Sequence, residues 1–241
     1  MAGSGSERDK GIFIGILRWE SGPQDLSQFE AIPGHFLHPD TFEFPVRFER
    51  VKGASFSTVV EMPSPEVLQE MVRAAKEMER DGIRAVTTSC GFNAIFQHHL
   101  AAAVRIPVFT SSLLQVPMVH TMIDPGKAVG ILTADERFLT KEHLQAVGID
   151  ERIPVCIAGI QDTGVFSRVR DEPGATVDVE RFRAQVVEVA MERIVRHDPS
   201  VGAIVIECTD LPSFSPDIRK AARLPVFDIV TLTNWVYWSL H

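Results

Sequence analysis

Short apolar runs alternate along the chain with longer stretches in which apolar residues recur every three or four positions. Ile83–Thr88 and Val201–Ile206 are short and rich in branched residues, as a strand buried in a parallel sheet requires. From Pro65, with Ser64 placed to cap it, one helical face carries Val67, Leu68, Met71, Val72 and Ala75, and the pattern stops at Asp81-Gly82. A second helix is predicted from about Val179, with Phe182, Val186, Val187, Ala190 and Ile194 turned inward, ending before Pro199. Strands alternating with helices predict an α/β fold built on parallel sheets.

The pattern occurs twice. Laying Ile83–Phe109 over Val201–Phe227, an offset of 208 − 90 = 118, gives eight identities in 27 positions, where chance gives roughly one or two. They are Ala85/Ala203, Cys90/Cys208, Phe96/Phe214, Ala103/Ala221, Arg105/Arg223 and the triplets Pro107-Val108-Phe109 and Pro225-Val226-Phe227. In each copy an apolar run ends at a cysteine, a helical stretch follows, and a second strand begins at the triplet. Gly15-Ile16-Leu17 and Gly130-Ile131-Leu132 close comparable opening strands. Two pseudo-symmetric lobes are expected, each a parallel sheet flanked by helices, with the active site in the cleft between them. Lobe 1 takes residues 11–110 and about 215–241, lobe 2 takes about 111–214, and the small polar segment 1–10 reads as a disordered tail.

Composition narrows the function. Hydrophobic residues make up 45% and charged residues 23%, an ordinary globular balance. The net charge of −8 without any cluster of Lys or Arg argues against nucleic acid or an anionic membrane as partner. No apolar run approaches the roughly 18 residues of a membrane span. Three cysteines, an odd number with no export signal, point to a reducing cytoplasm rather than a disulfide framework. Walker loops, dinucleotide fingerprints, Gly-x-Ser-x-Gly elbows and zinc-type cysteine spacings are missing.

Cys90 and Cys208 close equivalent strands, and in open α/β sheets ligands bind beyond the carboxyl ends of the strands. Across a pseudo-twofold axis the two thiols approach one cleft from opposite sides. A helix N-terminus after each is expected to lower its pKa. Two opposed thiols can remove a proton from one face of a carbon and return one to the other, with no metal or organic cofactor needed. Cys156 has no counterpart in the repeat and reads as a buried hydrophobe. A redox pair or a non-catalytic small-molecule sensor would use the same residues differently.

The stretches Thr87-Thr88-Ser89-Cys90-Gly91-Phe92-Asn93 and Val205-Ile206-Glu207-Cys208-Thr209-Asp210-Leu211-Pro212 resemble the two cysteine motifs of the aspartate/glutamate/hydantoin racemase superfamily. The resemblance runs over most of the chain from Gly11. It implies a two-lobed, PLP-independent racemase or epimerase with one catalytic cysteine per lobe, often dimeric, acting on a small carboxylated substrate. Amino-acid racemases usually carry Asn-Thr after the first cysteine and Gly before the second, whereas Gly91-Phe92 and Glu207 stand here. The Cys-Gly-Phe and Glu-Cys-Thr-acid-Leu-Pro forms, with Gly15-Ile16-Leu17-Arg18, look closer to a branch that includes algal dimethylsulfoniopropionate lyases. Those enzymes share the proton abstraction but expel a sulfur leaving group.

Asn93, Ser111, Ser112, Thr133 and Thr209 follow predicted strands, where they could hold a substrate carboxylate or simply cap helices and turns. Thr209 matches the family motif. Arg18, after the first strand, could pair with the same carboxylate or lie on the surface. Glu207 and Asp210 flank Cys208 and could assist as bases or raise the thiol. His98 and His99 have no partner at metal-ligand spacing and read as surface or packing residues. Trp19–Phe44, long and rich in Gly, Pro and aromatics, is expected to be an active-site lid or an insertion that packs on a partner subunit.

Overall fold

A computed structural model describes residues 11, 13–20, 27–172 and 174–240; the tail expected at 1–10 and part of the expected lid lie outside them. Among the described residues the strands form two four-stranded, wholly parallel sheets. The first contains β1 (Ile14–Trp19), β2 (Val46–Val51), β3 (Ala85–Thr88) and β4 (Val108–Phe109) in the order β2-β1-β3-β4. The second contains β5 (Ala128–Thr133), β6 (Val155–Gly159), β7 (Val201–Ile206) and β8 (Val226–Phe227) in the order β6-β5-β7-β8. The two orders are the same, so the sequence repeat is also a repeat of architecture.

Helices cover the sheets: α1 (Ser27–Glu30), α2 (Pro65–Arg80), α3 (Gln97–Ala103), α4 (Gln115–Met122), α5 (Lys141–Gln145), α6 (Gly164–Asp171), α7 (Val179–Val189), α8 (Ser215–Ala222) and α9 (Ile229–Ser239). Ser64 caps α2 by accepting from the Val67 N–H, and Asp178 caps α7 by accepting from Arg181. Gly15 and Gly130 occupy equivalent sheet positions, opposite Val86 and Ile204. A Cβ at Gly15 would overlap Met78 of α2, and one at Gly130 would lie 2.5 Å from Ile194, in the π-helical continuation of α7. Each glycine lets its covering helix sit close to the sheet.

One expectation is corrected. Strand β8 pairs with β7, so α8 and β8 belong to the second sheet, and the chain returns to lobe 1 after Phe227 rather than near 215. Only α9 then packs on lobe 1, burying Ile229 and Leu232 against Ile14, Ile16, Ala85 and Phe109. The described part of the expected lid, 27–44, is a packed strap. Phe29 and Ile32 enter the lobe 2 core beside Phe166, Phe182 and Phe214, while Phe36, Phe42 and Phe44 enter the lobe 1 core with α9. Gln28 ties the strap to lobe 2 by donating to the Ala175 carbonyl and accepting from the Val177 N–H, both at 2.9 Å. Among the described residues no helix is long and apolar enough to cross a membrane.

Candidate active site

The two sheets present their cysteines in the same way. Ser89 donates its N–H to Leu17 of β1 at 2.8 Å, and Glu207 donates to Leu132 of β5 at 2.7 Å. Each bond holds the residue just before a cysteine against the central strand of its own sheet. Cys90 then opens a 3₁₀ turn, Gly91–Phe96, that runs into α3; Cys208 leads through Thr209–Leu211 and a second 3₁₀ turn into α8. The thiols are 8% and 6% exposed and share one environment, because charge on Cys90 raises Cys208 and both sense Glu207 and Asp210.

Backbone N–H groups are aimed at both sulfurs, from Phe92 and Asn93 at Cys90 and from Asp210 at Cys208, and these favour the thiolates. The net effect is nonetheless the reverse of the sequence expectation. Burial lifts both thiols well above their ordinary value, and repulsion by Glu207 and Asp210 adds to it.

Glu207 is wholly buried, and loss of solvent pushes its carboxyl up to about 7. The Thr133 hydroxyl, donating to Oε2 at 2.6 Å, and the Ala134 N–H oppose the shift. Oε1 has no hydrogen-bond partner. Asp210 accepts from His35 Nε2 at 3.0 Å. Because His35 Nδ1 accepts the Leu37 N–H at 3.0 Å, its proton sits on Nε2 and points at Asp210. His35 lies in the segment read from the sequence as a lid or an insertion, and nothing local to it, beside neighbouring His38, foretells its contact with Asp210.

The expected carboxylate donors are mostly committed within the protein. Thr133 donates to Glu207, Thr209 to the Ser89 carbonyl at 2.7 Å, and Ser112 to the Ile206 carbonyl at 2.6 Å. The Thr209 bond joins the residue after Cys208 to the residue before Cys90 across the lobes, and the Ser112 bond holds the end of β7. Ser111 caps the turn after it by accepting from Leu113. Asn93 donates to Thr88 Oγ1 at 3.0 Å and keeps a buried, unpartnered Oδ1. Arg18 is paired with Glu30 of the strap at 2.7 Å. His98 and His99 are exposed on α3, and Cys156 is buried in β6, as expected for each.

The model of the Asp/Glu/Hydantoin racemase family matches residues 45–236 of this chain. The chain belongs to that family. It is 32% identical over 213 residues to a dimethylsulfoniopropionate lyase of Durusdinium sp. clade D, covering 86% of this chain and 70% of the relative. Dimethylsulfoniopropionate lyase 7 of Emiliania huxleyi is 32% identical over 210 residues, covering 83% of this chain and 61% of the relative. The chain thus spans less than two thirds of some of these relatives. Among solved structures, an allantoin racemase from Klebsiella pneumoniae superposes with a TM-score of 0.60 at 15% identity, covering 90% of this chain and 83% of that one. An unliganded arylmalonate decarboxylase superposes with a TM-score of 0.56 at 16% identity, covering 93% and 90%.

Within this racemase-family fold, the two departures from the amino-acid racemase motifs are one feature in space. A Cβ on Gly91 would overlap both the carbonyl oxygen and Oε1 of Glu207. The carboxyl from lobe 2 fills the space that a side chain after Cys90 would need. A side chain at 91 and Glu207 in this position exclude each other.

Proposed function

We propose that this racemase-family enzyme is a cofactor-independent lyase, which removes the proton next to a carboxylate and expels a sulfur leaving group, with Cys90 and Cys208 as its acid/base pair. The likeness to dimethylsulfoniopropionate lyases over 86% of the chain carries the reading. The charges around the thiols support it. Glu207 and Asp210 act on both sulfurs, and Arg18 is engaged by Glu30. Such surroundings repel a dicarboxylate such as aspartate and attract a sulfonium group. One sulfur, as thiolate, takes the proton from the carbon beside the carboxylate. The freed electron pair forms the carbon–carbon double bond while the carbon–sulfur bond breaks towards sulfur. Dimethylsulfoniopropionate then gives acrylate and dimethyl sulfide, and the new thiol returns its proton to solvent.

A racemase is the second reading. The equivalent placement of the two cysteines in the paired sheets favours it, since inversion needs a group on each face. NMR in heavy water separates the two. Dimethylsulfoniopropionate is expected to yield acrylate, slowed by about 100-fold or more in Cys90→Ser and in Cys208→Ser. Deuterium entering the α-carbon of aspartate, glutamate or a hydantoin, with no elimination, would make the chain a racemase. Turnover undiminished in both serine variants would remove the thiol pair from either reaction.

A further inference from the structure

The two cysteine turns close alike but are held in opposite ways. Asn93 donates its N–H to the Cys90 carbonyl at 3.1 Å, and Leu211 donates to the Cys208 carbonyl at 3.3 Å. The first turn is locked from inside its own lobe. Thr88 Oγ1 lies 2.7 Å from the Thr110 carbonyl and 3.0 Å from that of Cys90, so its proton goes to a carbonyl, and it accepts from Asn93 Nδ2 at 3.0 Å. The repeat puts Ile206 and Leu211 at the positions of Thr88 and Asn93, and both are buried in the lobe 2 core. Apolar side chains thus stand where the first turn has its lock. The second turn is pinned instead at its two corner residues, where the first has Gly91 and Phe92. Thr209 donates to the Ser89 carbonyl at 2.7 Å, and Asp210 accepts from His35 Nε2 at 3.0 Å. One pin comes from lobe 1 and the other from the strap.

We infer that His35 is a positioning residue for Cys208, acting through Asp210 to fix the turn that carries the thiol. This deepens the proposed lyase function and rests on Cys208 being a working thiol there. The Thr209 bond sets the distance between the cysteine segments, since it links the residue after Cys208 to the residue before Cys90. A single bond leaves the turn free to pivot about it, and the second, at the neighbouring corner, stops the pivot. His35 is itself held firmly. It is 1% exposed, its N–H donates to the Ile32 carbonyl at 3.0 Å, its carbonyl accepts from Thr41 at 2.6 Å, and its Nδ1 accepts from Leu37 at 3.0 Å. With Nδ1 an acceptor, the proton on Nε2 is aimed at Asp210. Ile32 before it is anchored in the lobe 2 core and Phe36 after it in the lobe 1 core. The imidazole therefore fixes Asp210 relative to both sheets. Proton transfer between carbon and sulfur is sensitive to such placement, because a shift of about 1 Å can cost about 100-fold in rate.

Iodoacetamide labelling of the full chain, read cysteine by cysteine by mass spectrometry, tests this without substrate. His35→Phe keeps the ring volume and His35→Asn keeps an acceptor for the Leu37 N–H, while both lose the donor to Asp210. In each, Cys208 is expected to label about tenfold or more faster than in wild type, the scale of one lost hydrogen bond to a charged group. Cys90 should stay within about twofold, as should Cys156, which is buried in β6 against the Arg193 carbonyl and reports opening of the fold. His35→Gln, long enough to donate to Asp210, should return Cys208 towards the wild-type rate. With dimethylsulfoniopropionate, the Phe and Asn variants should lower kcat by about tenfold or more with KM within about twofold, and the Gln variant should recover most of it. Cys208 labelling unchanged in a variant that keeps Cys156 protected, or all three cysteines rising together in both variants, would overturn the inference. So would a kcat that holds while Cys208 labelling speeds up. A wild-type chain inert on dimethylsulfoniopropionate would instead overturn the lyase reading and leave the labelling result standing.

Discussion

A buried carboxyl held through one oxygen makes stability depend on pH. Glu207 moves from 4.5 in an exposed setting to about 7 in the fold, so between those values the native state binds more protons than the unfolded chain. Its stabilising contribution is complete below about pH 4.5 and is lost as pH rises through about 7. The shift corresponds to at most about 3 kcal/mol. Glu207→Gln should therefore match wild type more closely at pH 4 and gain on it by up to that amount at pH 8. Urea unfolding at the two values checks this, and an equal difference at both would show that the carboxyl does not titrate with folding. Thr133→Val works in the opposite sense to a better clamp. Removing the donor to Oε2 should lift Glu207 further, so that the pH at which stability falls in urea unfolding moves up by roughly one unit, the size of one lost hydrogen bond to a charged group.

At the scale of elements, the legible parts were those with local rules. Helices α2 and α7 follow from 3.6-residue spacing and from capping by Ser64 and Asp178, and the cysteines at the ends of β3 and β7 follow from the repeat. The strap was not legible, because 27–44 has no period, and which lobe takes Phe29 or Phe36 is decided by residues far along the chain. The contact between Gly91 and Glu207 spans 207 − 91 = 116 positions and leaves no trace in either motif alone. The commitment of Thr133, Ser112 and Thr209 to protein acceptors was hidden for the same reason. The paired glycines give a test of packing at this scale. Gly15→Ala meets the sulfur of Met78, an unbranched side chain that can turn aside, whereas Gly130→Ala meets the branched Ile194. Gly130→Ala should cost about 1–3 kcal/mol in urea unfolding and Gly15→Ala measurably less. The reverse order would mean that Met78 is the more rigidly packed of the two.

The whole molecule holds two buried cysteines just beyond strands of two sheets that the chain joins repeatedly. The strap runs from lobe 1 into the lobe 2 core and back. The two later crossings are bound to each other, since Gln115 at the start of α4 donates to the Asp228 carbonyl at 2.9 Å and accepts from Thr231 at 3.3 Å. Asp228 in turn accepts from Ser215 of α8, which belongs to lobe 2. One core cluster also draws on both sheets, with Val86, Phe92 and Leu113 beside Val129, Ile131 and Val205. Lobes tied in this way should unfold together, although each has a complete sheet of its own. The tryptophans allow the test without added labels, because Trp19 ends β1 and Trp235 and Trp238 lie on α9, all in lobe 1. Tryptophan fluorescence therefore follows lobe 1 while far-ultraviolet circular dichroism follows both. The two denaturation curves are expected to coincide in wild type. Phe29→Ala, which empties the strap's anchor in the lobe 2 core at a cost of about 3–5 kcal/mol, should lower both midpoints together. A fluorescence transition separate from the dichroism transition in wild type would show that the crossings hold the two sheets together without making the lobes one cooperative unit.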